Sequence, residues 1–280
     1  MKDYKVVEFM GCKFFMGAAK KFDKDFEVVK AILSKDPKDI TKADRFRLLT
    51  IYNPSYHESG KIEGITSFDA SATNCLFCKL MRKAATRTAA HICAGCYDKA
   101  QEESFKGINI INRHSLNMLI MQTIEFEEAE LVVINVSKID RINSSGDTPN
   151  KTYAINMLRI AKVNRHAYFA YWAKNKEAVI AACKEVGKPK NMKLVYSSPI
   201  INKAAELPKY FDFVFTVYVN EAETRKAIEN GARECNGKKC RDCGYKCYLN
   251  GWNHGDNIAE VLRTTKEQRE QIEKALGLRS

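Results

Sequence analysis

The sequence is short of several things, and each shortage closes off a class of protein. Six prolines and fourteen glycines in 280 residues are too few for a collagenous or low-complexity chain, and 45% hydrophobic residues rule out intrinsic disorder. Long apolar runs are missing. Leu131-Val132-Val133-Ile134-Asn135-Val136 is among the longest, far below the ~20 residues that span a bilayer. The opening Met1-Lys2-Asp3-Tyr4-Lys5 lacks the charged-then-apolar order of an export signal. A soluble chain in a reducing cytosol, without a membrane partner, is therefore expected. Also missing are Gly-x4-Gly-Lys-Ser/Thr, Gly-x-Gly-x-x-Gly, His-Glu-x-x-His and a nucleophile elbow, which sets aside P-loop hydrolysis, zinc proteolysis and α/β-hydrolase chemistry.

What is present is cysteine and positive charge. Ten cysteines are many for a cytosolic chain, where thiols serve metals or catalysis more often than disulfides. Forty-six Lys and Arg stand against 34 Asp and Glu, net +12, an excess that suits a polyanionic partner and dictates no fold. Its local concentrations are Lys79 to Arg87 (with Arg82 and Lys83), Lys188 to Lys193 and Lys238 to Arg241.

Strands and helices alternate through the middle of the chain. Strands are expected at Lys138–Asn143, His166–Tyr171, Met192–Tyr196 and Asp212–Val219. Helices are expected around Tyr153, Met157, Ile160 and Ala161, then over Lys176–Val186, and from Glu221 to Gly231. That rhythm is the mark of βα units, so the fold class is α/β, a parallel sheet or partial (β/α) barrel. The core is expected over 71–231. Residues 1–70, with a strand near Tyr4–Met10, a helix carrying Phe26, Val29 and Leu33, and a loop over Asn53–Gly64, form an N-terminal segment. Residues 232–280 form a cysteine-rich segment closed by a helix from Thr265 to Leu276 that turns Ile272, Ala275 and Leu276 inward.

Eight cysteines fall into two groups; Cys12 and Cys183 stand apart as small core residues. Cys75-Leu-Phe-Cys78 and Cys93-Ala-Gly-Cys96 form a CxxC…CxxC pattern. Two residues between cysteines let both thiolates turn onto one ion, and a second pair completes a four-sulfur site for zinc or an iron–sulfur cluster. Cys235, Cys240, Cys243 and Cys247 lie within thirteen residues. This compact run suits the several directions of a cubane better than one tetrahedral zinc, and a 4Fe-4S cluster is favoured. Gly237 and Gly244 give its loop freedom to fold over a cluster.

At Cys93-Ala-Gly-Cys96-Tyr97, Arg141-Ile-Asn-Ser-Ser-Gly146-Asp147, Tyr168-Phe-Ala-Tyr-Trp-Ala-Lys174 and the closing cysteine run, the chain resembles a phage-encoded family known as gene product 88. Its function is uncharacterised. The resemblance spans roughly Cys75 to Tyr248. That family is in turn distantly similar to radical S-adenosylmethionine enzymes, which implies a cluster near the mouth of a partial barrel, S-adenosylmethionine as a candidate cofactor and, for a phage-encoded chain, the host cytosol as its location. The chain departs from the usual C-x3-C-x2-C: a radical enzyme of this kind keeps one iron open, and four binding cysteines would close it.

In parallel α/β folds the loops after the strands carry the chemistry. Here they offer Asp147 and Lys174 as catalytic candidates, and Ser145, Gly146, Ser197 and Ser198 as cofactor-binding candidates. Asp147 can hold a ribose, a metal or a proton, and Lys174 can meet an anion; the same residue types also cap the helices that follow. Two functions result. One is an iron–sulfur protein with redox or radical-type activity on a nucleic-acid-related substrate. The other is a zinc-stabilised DNA- or RNA-binding module without catalysis.

Overall fold

The computed structural model describes residues 4–84, 90–96, 99, 107–235, 239–263 and 266–278. Of the positions named above, Met1, Lys2, Asp3, Arg87, Tyr97, Gly237, Lys238 and Thr265 lie outside these, as do the side chains of Arg82, Lys83, Ala94 and Ala275. The elements run β1 Lys5–Phe9, β2 Cys12–Met16, α1 Lys20–Leu33, α2 Lys42–Ile51, β3 Ser55–Tyr56, β4 Thr66–Phe68, α3 Leu76–Ala84, α4 Ile108–Thr123, α5 Glu128–Leu131, β5 Ile139–Ile142, α6 Lys151–Val163, β6 Tyr168–Ala173, α7 Lys176–Val186, β7 Met192–Ser197, β8 Phe213–Tyr218, α8 Glu221–Glu229, β9 Arg233–Glu234, β10 Asn257–Val261 and α9 Lys266–Ala275. Among the described residues no helix is long and apolar enough to cross a membrane.

The expected α/β class is met: eight strands form one open sheet in the order β3-β4-β5-β6-β7-β8-β10-β9. All neighbours are parallel except β3, which runs antiparallel to β4. From β4 to β8 the order in space follows the order in sequence. Successive right-handed crossovers in one direction put their helices on the same face. Alternation along the strands then divides two faces with different fates. Phe169, Tyr171 and Ala173 of β6 join Met192 and Leu194 of β7 in the main core, beneath Val29 of α1, Leu48 of α2, Met118 of α4, Met157 of α6 and Val179 of α7. Ala170, Trp172 and Val195 point the other way, to a smaller cluster with Phe213, Ile258 and Tyr248 and the partly buried Cys235, Cys240 and Cys247. No residue of α1, α2, α4, α6 or α7 belongs to that second cluster. The inner face is covered by the cysteine-rich segment instead. At its carboxyl end, Ile272 of α9 and Leu276 just after it pack with Val217, Val219 and Leu262.

Cys12 and Cys183 lie in the main core, each 3% exposed, and burial pushes both thiols up to about 11. The N-terminal residues share that core through Phe14, Phe26 and Leu48, and they supply β3 and β4 to the sheet. Asparagine caps set the helix starts after the strands. The side chain of Asn150 accepts from Tyr153 N–H at 2.9 Å, Asn175 from Ala178 N–H at 3.3 Å and Asn220 from Glu223 N–H at 3.0 Å.

The turn after β5 is set by Gly146, at φ +71°. A Cβ there would stand 2.3 Å from the carbonyl oxygen of Ala70, so the loop after β5 lies against the loop after β4 only because the side chain is absent. Gly146→Ala should lower stability by about 2–4 kcal/mol, read as a lower urea midpoint at unchanged slope. A change within experimental error would show that the two loops can separate.

Asp140 is fully buried in β5. One carboxylate oxygen accepts the Ser137 N–H at 2.8 Å; the other has no hydrogen-bond partner among the described residues. Burial pushes its pKa up to about 7, against a smaller opposing effect of the Ser137 bond. Because the folded value lies above the unfolded one of 3.8, the group's contribution to stability is full below about pH 4. It is lost as pH rises to about 7, at no more than about 1.4 kcal/mol per pH unit. The stability of Asp140→Asn relative to the parent should therefore rise across that window and level off above it. A difference independent of pH would contradict the buried, unpaired carboxylate.

Candidate functional site

The carboxyl ends of the strands and the inner face of the sheet enclose a cavity of about 790 Å³. Its walls carry Cys78, Cys93 and Cys96 of the first cysteine group and Cys235, Cys240, Cys243 and Cys247 of the second. Groups about 140 residues apart in sequence thus open onto one space.

The first group is assembled from two directions. Cys75 precedes α3 and Cys78 lies in its first turn, while Cys93 sits in a short 3₁₀ turn, Ile92–Gly95. The strand-like segment before that turn is pinned to the loop after β7: Ile92 N–H donates to Pro199 O at 2.9 Å, and Ile201 N–H to Ala90 O at 2.9 Å. Cys78 is the hub. Its backbone N–H reaches Cys75 Sγ at 3.4 Å, and hydrogen bonds from the thiols of Cys75, Cys93 and Cys96 push the pKa of its own sulfur far below the usual thiol range. Cys75 and Cys93 are correspondingly raised, by that sharing with Cys78 and then by burial. Lys174, after β6, is the cation of this corner. Burial opposes its charge, but Cys93, Asp147, Cys78 and Cys96 more than offset that and raise its pKa.

The second group is a chain of turns laid over the inner face. Cys235 N–H donates to Ala259 O of β10 at 2.8 Å, and Cys240 N–H to Lys61 O at 2.8 Å. Lys239 and Arg241 both grip Glu63, at 2.5 and 2.8 Å. Gly244 and Tyr245 adopt positive φ, +69° and +54°, which turns the chain back so that Cys247 faces the same space. Tyr248 is the wedge that fixes the segment to the sheet: it is fully buried and its ring lies 5.8 Å from Trp172. On the other side Arg141 stacks over Trp172 at 4.1 Å. Burial raises the pKa of Cys240, and that of Cys247 to about 12.

Among the described residues no set of three or more His, Cys, Asp or Glu side chains is drawn into a ready-made metal polyhedron. The chemistry of the sulfurs is that of a thiophilic site: all-sulfur donors, with the pKa of Cys78 lowered by its thiol neighbours, Lys174 beside the first group, and Arg141 and Lys61 acting on Cys240 in the second.

Ser145, Gly146 and Lys174 line the cavity; Asp147, Ser197 and Ser198 are not part of its described wall. Asp147 is buried and spends its carboxylate on backbone, accepting the N–H groups of Thr148, Lys174 and Asn175 at 2.8, 2.9 and 3.1 Å. It ties the loop after β5 to the end of β6 and so places Lys174. Ser198 likewise holds its own loop, donating to Lys203 O at 2.7 Å.

The sequence reading missed a polar cluster beside the cysteines. Asp69, at the end of β4 and 2% exposed, accepts the Ser144 N–H at 2.8 Å, the Ser144 hydroxyl at 2.6 Å and the Ser145 N–H at 2.9 Å. It also accepts the Ser67 hydroxyl, with His114 Nε2 3.7 Å away. Burial works to raise its pKa, but His114 and these donors prevail and hold it below the usual carboxylate range. Since Ser67 gives its proton to Asp69, its oxygen accepts from His57 Nε2, 2.7 Å away. His57 is thereby fixed as the Nε2–H tautomer, with Nδ1 left as an acceptor. Burial lowers its pKa, aided by Arg141 and Arg113 against Asp69, so a neutral imidazole lines the cavity. The signal for this cluster was faint: a three-residue strand before Asp69, and Asn112-Arg113-His114 as a polar break in an otherwise apolar helix.

No curated protein and no solved structure matches the chain. A family model described as gene product 88 matches residues 48–272, which takes in β3 to β10, both cysteine groups and the whole cavity wall described above. The chain belongs to the gene product 88 family.

Proposed function

We propose that this protein is an iron–sulfur enzyme of redox or radical type, acting on a nucleic-acid-related substrate held in the cavity. The observation that carries the reading is that both cysteine groups open onto one cavity on the inner face of the sheet. Structural zincs that brace outward loops for nucleic-acid contact have no need of a shared interior space. Sites that exchange electrons with a bound molecule need one.

Cys78, Cys93 and Cys96 would hold the first cluster and Cys235, Cys240, Cys243 and Cys247 the second; a 4Fe-4S cluster supplies single electrons at low potential. Cys75 packs with its three partners but does not itself line the cavity. A cluster held by the three cavity-lining cysteines alone would leave one iron open for S-adenosylmethionine, the cofactor of the radical branch. The chain's own residues have defined tasks. Lys174 balances thiolate charge. Asp147 fixes Lys174 through its backbone. His57, held by Ser67 and Asp69, offers a proton acceptor at Nδ1. Trp172 and Tyr248 separate the second group from the core.

Anaerobic purification tests the reading. Brown protein with iron and acid-labile sulfide is expected. Cys78→Ser and Cys243→Ser should each remove part of the iron and leave the rest, since the two groups are held by separate segments. Colourless protein with about two zincs per chain would overturn it. Loaded, reduced protein should cleave S-adenosylmethionine reductively. Full loading without cleavage would remove the radical branch and leave electron transfer.

A further inference from the structure

Among the described residues six cations line the cavity, Lys61, Arg113, Arg141, Lys174, Lys246 and Arg263, against two carboxylates, Asp69 and Glu260. Both carboxylates are already engaged. Glu260 receives Lys61 at 2.6 Å and Arg263 at 2.9 Å. Asp69 is filled by the serine donors and His114. Lys174 serves the thiols of the first group, Lys246 lies 4.8 Å over Trp252, and Arg141 stacks on Trp172.

Arg113 differs from all of these. It projects from α4 into the cavity, is partly buried, and makes no hydrogen bond or ion pair among the described residues; its Nε is enclosed and unsatisfied. Asp69 attracts it, but burial outweighs that attraction and lowers its pKa, and a guanidinium kept from water without a hydrogen bond is a cost the fold does not need. Its neighbours on α4 show that the helix can use polar groups for structure. Asn112 clamps both the N–H and the carbonyl of Phe15, at 2.8 and 2.7 Å, and His114 faces Asp69. Arg113 and Arg141 both act electrostatically on His57, which places them on one wall, with Arg141 the one of the two that also acts on a thiol.

We propose that Arg113, with Arg141 beside it, is the docking site for an anionic group, a phosphate or a carboxylate, of the molecule that occupies the cavity. The guanidinium fork offers paired N–H donors to two oxygens of such a group. This deepens the reading above by naming the substrate class of the same cavity, yet it is measurable without turnover.

The test is equilibrium binding to the full-length, anaerobically purified protein. Inorganic phosphate and citrate serve as probes at ionic strength held constant with chloride. Calorimetry reads the binding, as does emission from Trp172 and Trp252, the chain's two tryptophans, which both line the cavity. Saturable binding of either probe is expected, and the one that binds names the anion. Arg113→Gln should weaken it by about tenfold or more. Lys190→Gln, the same loss of charge on the exposed loop before β7, should change it less than about twofold. Because burial of Arg113 outweighs its attraction to Asp69 and it makes no hydrogen bond among the described residues, Arg113→Gln should unfold at the same or a higher temperature than the parent. Saturation by neither probe, equal effects of the two variants, or a destabilised or unfolded Arg113→Gln would each overturn the proposal. Iron and sulfide measured on the same samples keep the two readings apart. Anion binding by metal-free protein leaves this site standing and the iron–sulfur reading refuted; loaded protein that binds no anion does the reverse.

Discussion

A parallel sheet wound in one direction leaves one face bare. From β4 to β8 each strand is laid beside the last, and right-handed crossovers send their helices to a single side. The apolar residues on the opposite side, Ala170, Trp172, Val195 and Phe213, still have to leave water. A closed barrel would bury such residues against one another. Here the sheet stays open, with β3 and β9 at its edges, and the cysteine-rich segment covers the inner face by inserting Tyr248 against Trp172. The cover is partial, and what it leaves is the cavity. The second cysteine group is therefore a piece of the fold as well as a candidate ligand set.

The same geometry gathers the first group. Strand ends at one edge of a parallel sheet bring their loops together, and buried polar groups fasten those loops to one another. Asp69 joins the ends of β4 and β5, Asp147 joins the ends of β5 and β6, and the bridge between His91 and Ile200 joins the Cys93 segment to the loop after β7. Each fastening is a carboxylate or backbone group spent on backbone N–H, so hydrogen bonds hold the cavity rim. The thiols of the first group gather around Cys78 on that rim. The positive charge that looks general in the composition is partitioned: some pairs with Glu63 and Glu260, some faces thiols, and Arg113 lines the cavity with its Nε unsatisfied among the described residues.

The sequence was legible where periodicity and spacing are strong. Tyr168–Ala173, Met192–Ser197 and Phe213–Tyr218 are apolar on both faces and read as buried strands. The helices beginning after Asn150, Asn175 and Asn220 carry caps that a reader can see. Five strands were not legible, among them Cys12–Met16, the hairpin partner of β1. Thr66–Phe68, Ser55–Tyr56 and Arg233–Glu234 are too short to show a period, and Asn257–Val261 carries Glu260, whose pairing with Lys61 is visible only in three dimensions. Helix α4 escaped for the opposite reason: it is buried on nearly every side, which erases the amphipathic stripe. The eight cysteines were found from spacing alone. That they share one cavity was not readable, because it depends on a tertiary contact between segments far apart in the chain. Asp147 illustrates the limit of loop logic: its position after a strand suggested chemistry, and its carboxylate turns out to be occupied by three backbone N–H groups.

Two proposed metal groups face one interior space. Anomalous diffraction at the iron absorption edge, from crystals of protein grown and kept without oxygen, tests this directly. Two iron peaks are predicted on the inner face of the sheet. One should lie beside Cys78, Cys93 and Cys96 near Lys174, and the other beside Cys235, Cys240, Cys243 and Cys247 near Tyr248. Zinc in place of iron, or iron bound on the helix-covered face or at the outer surface, would contradict it.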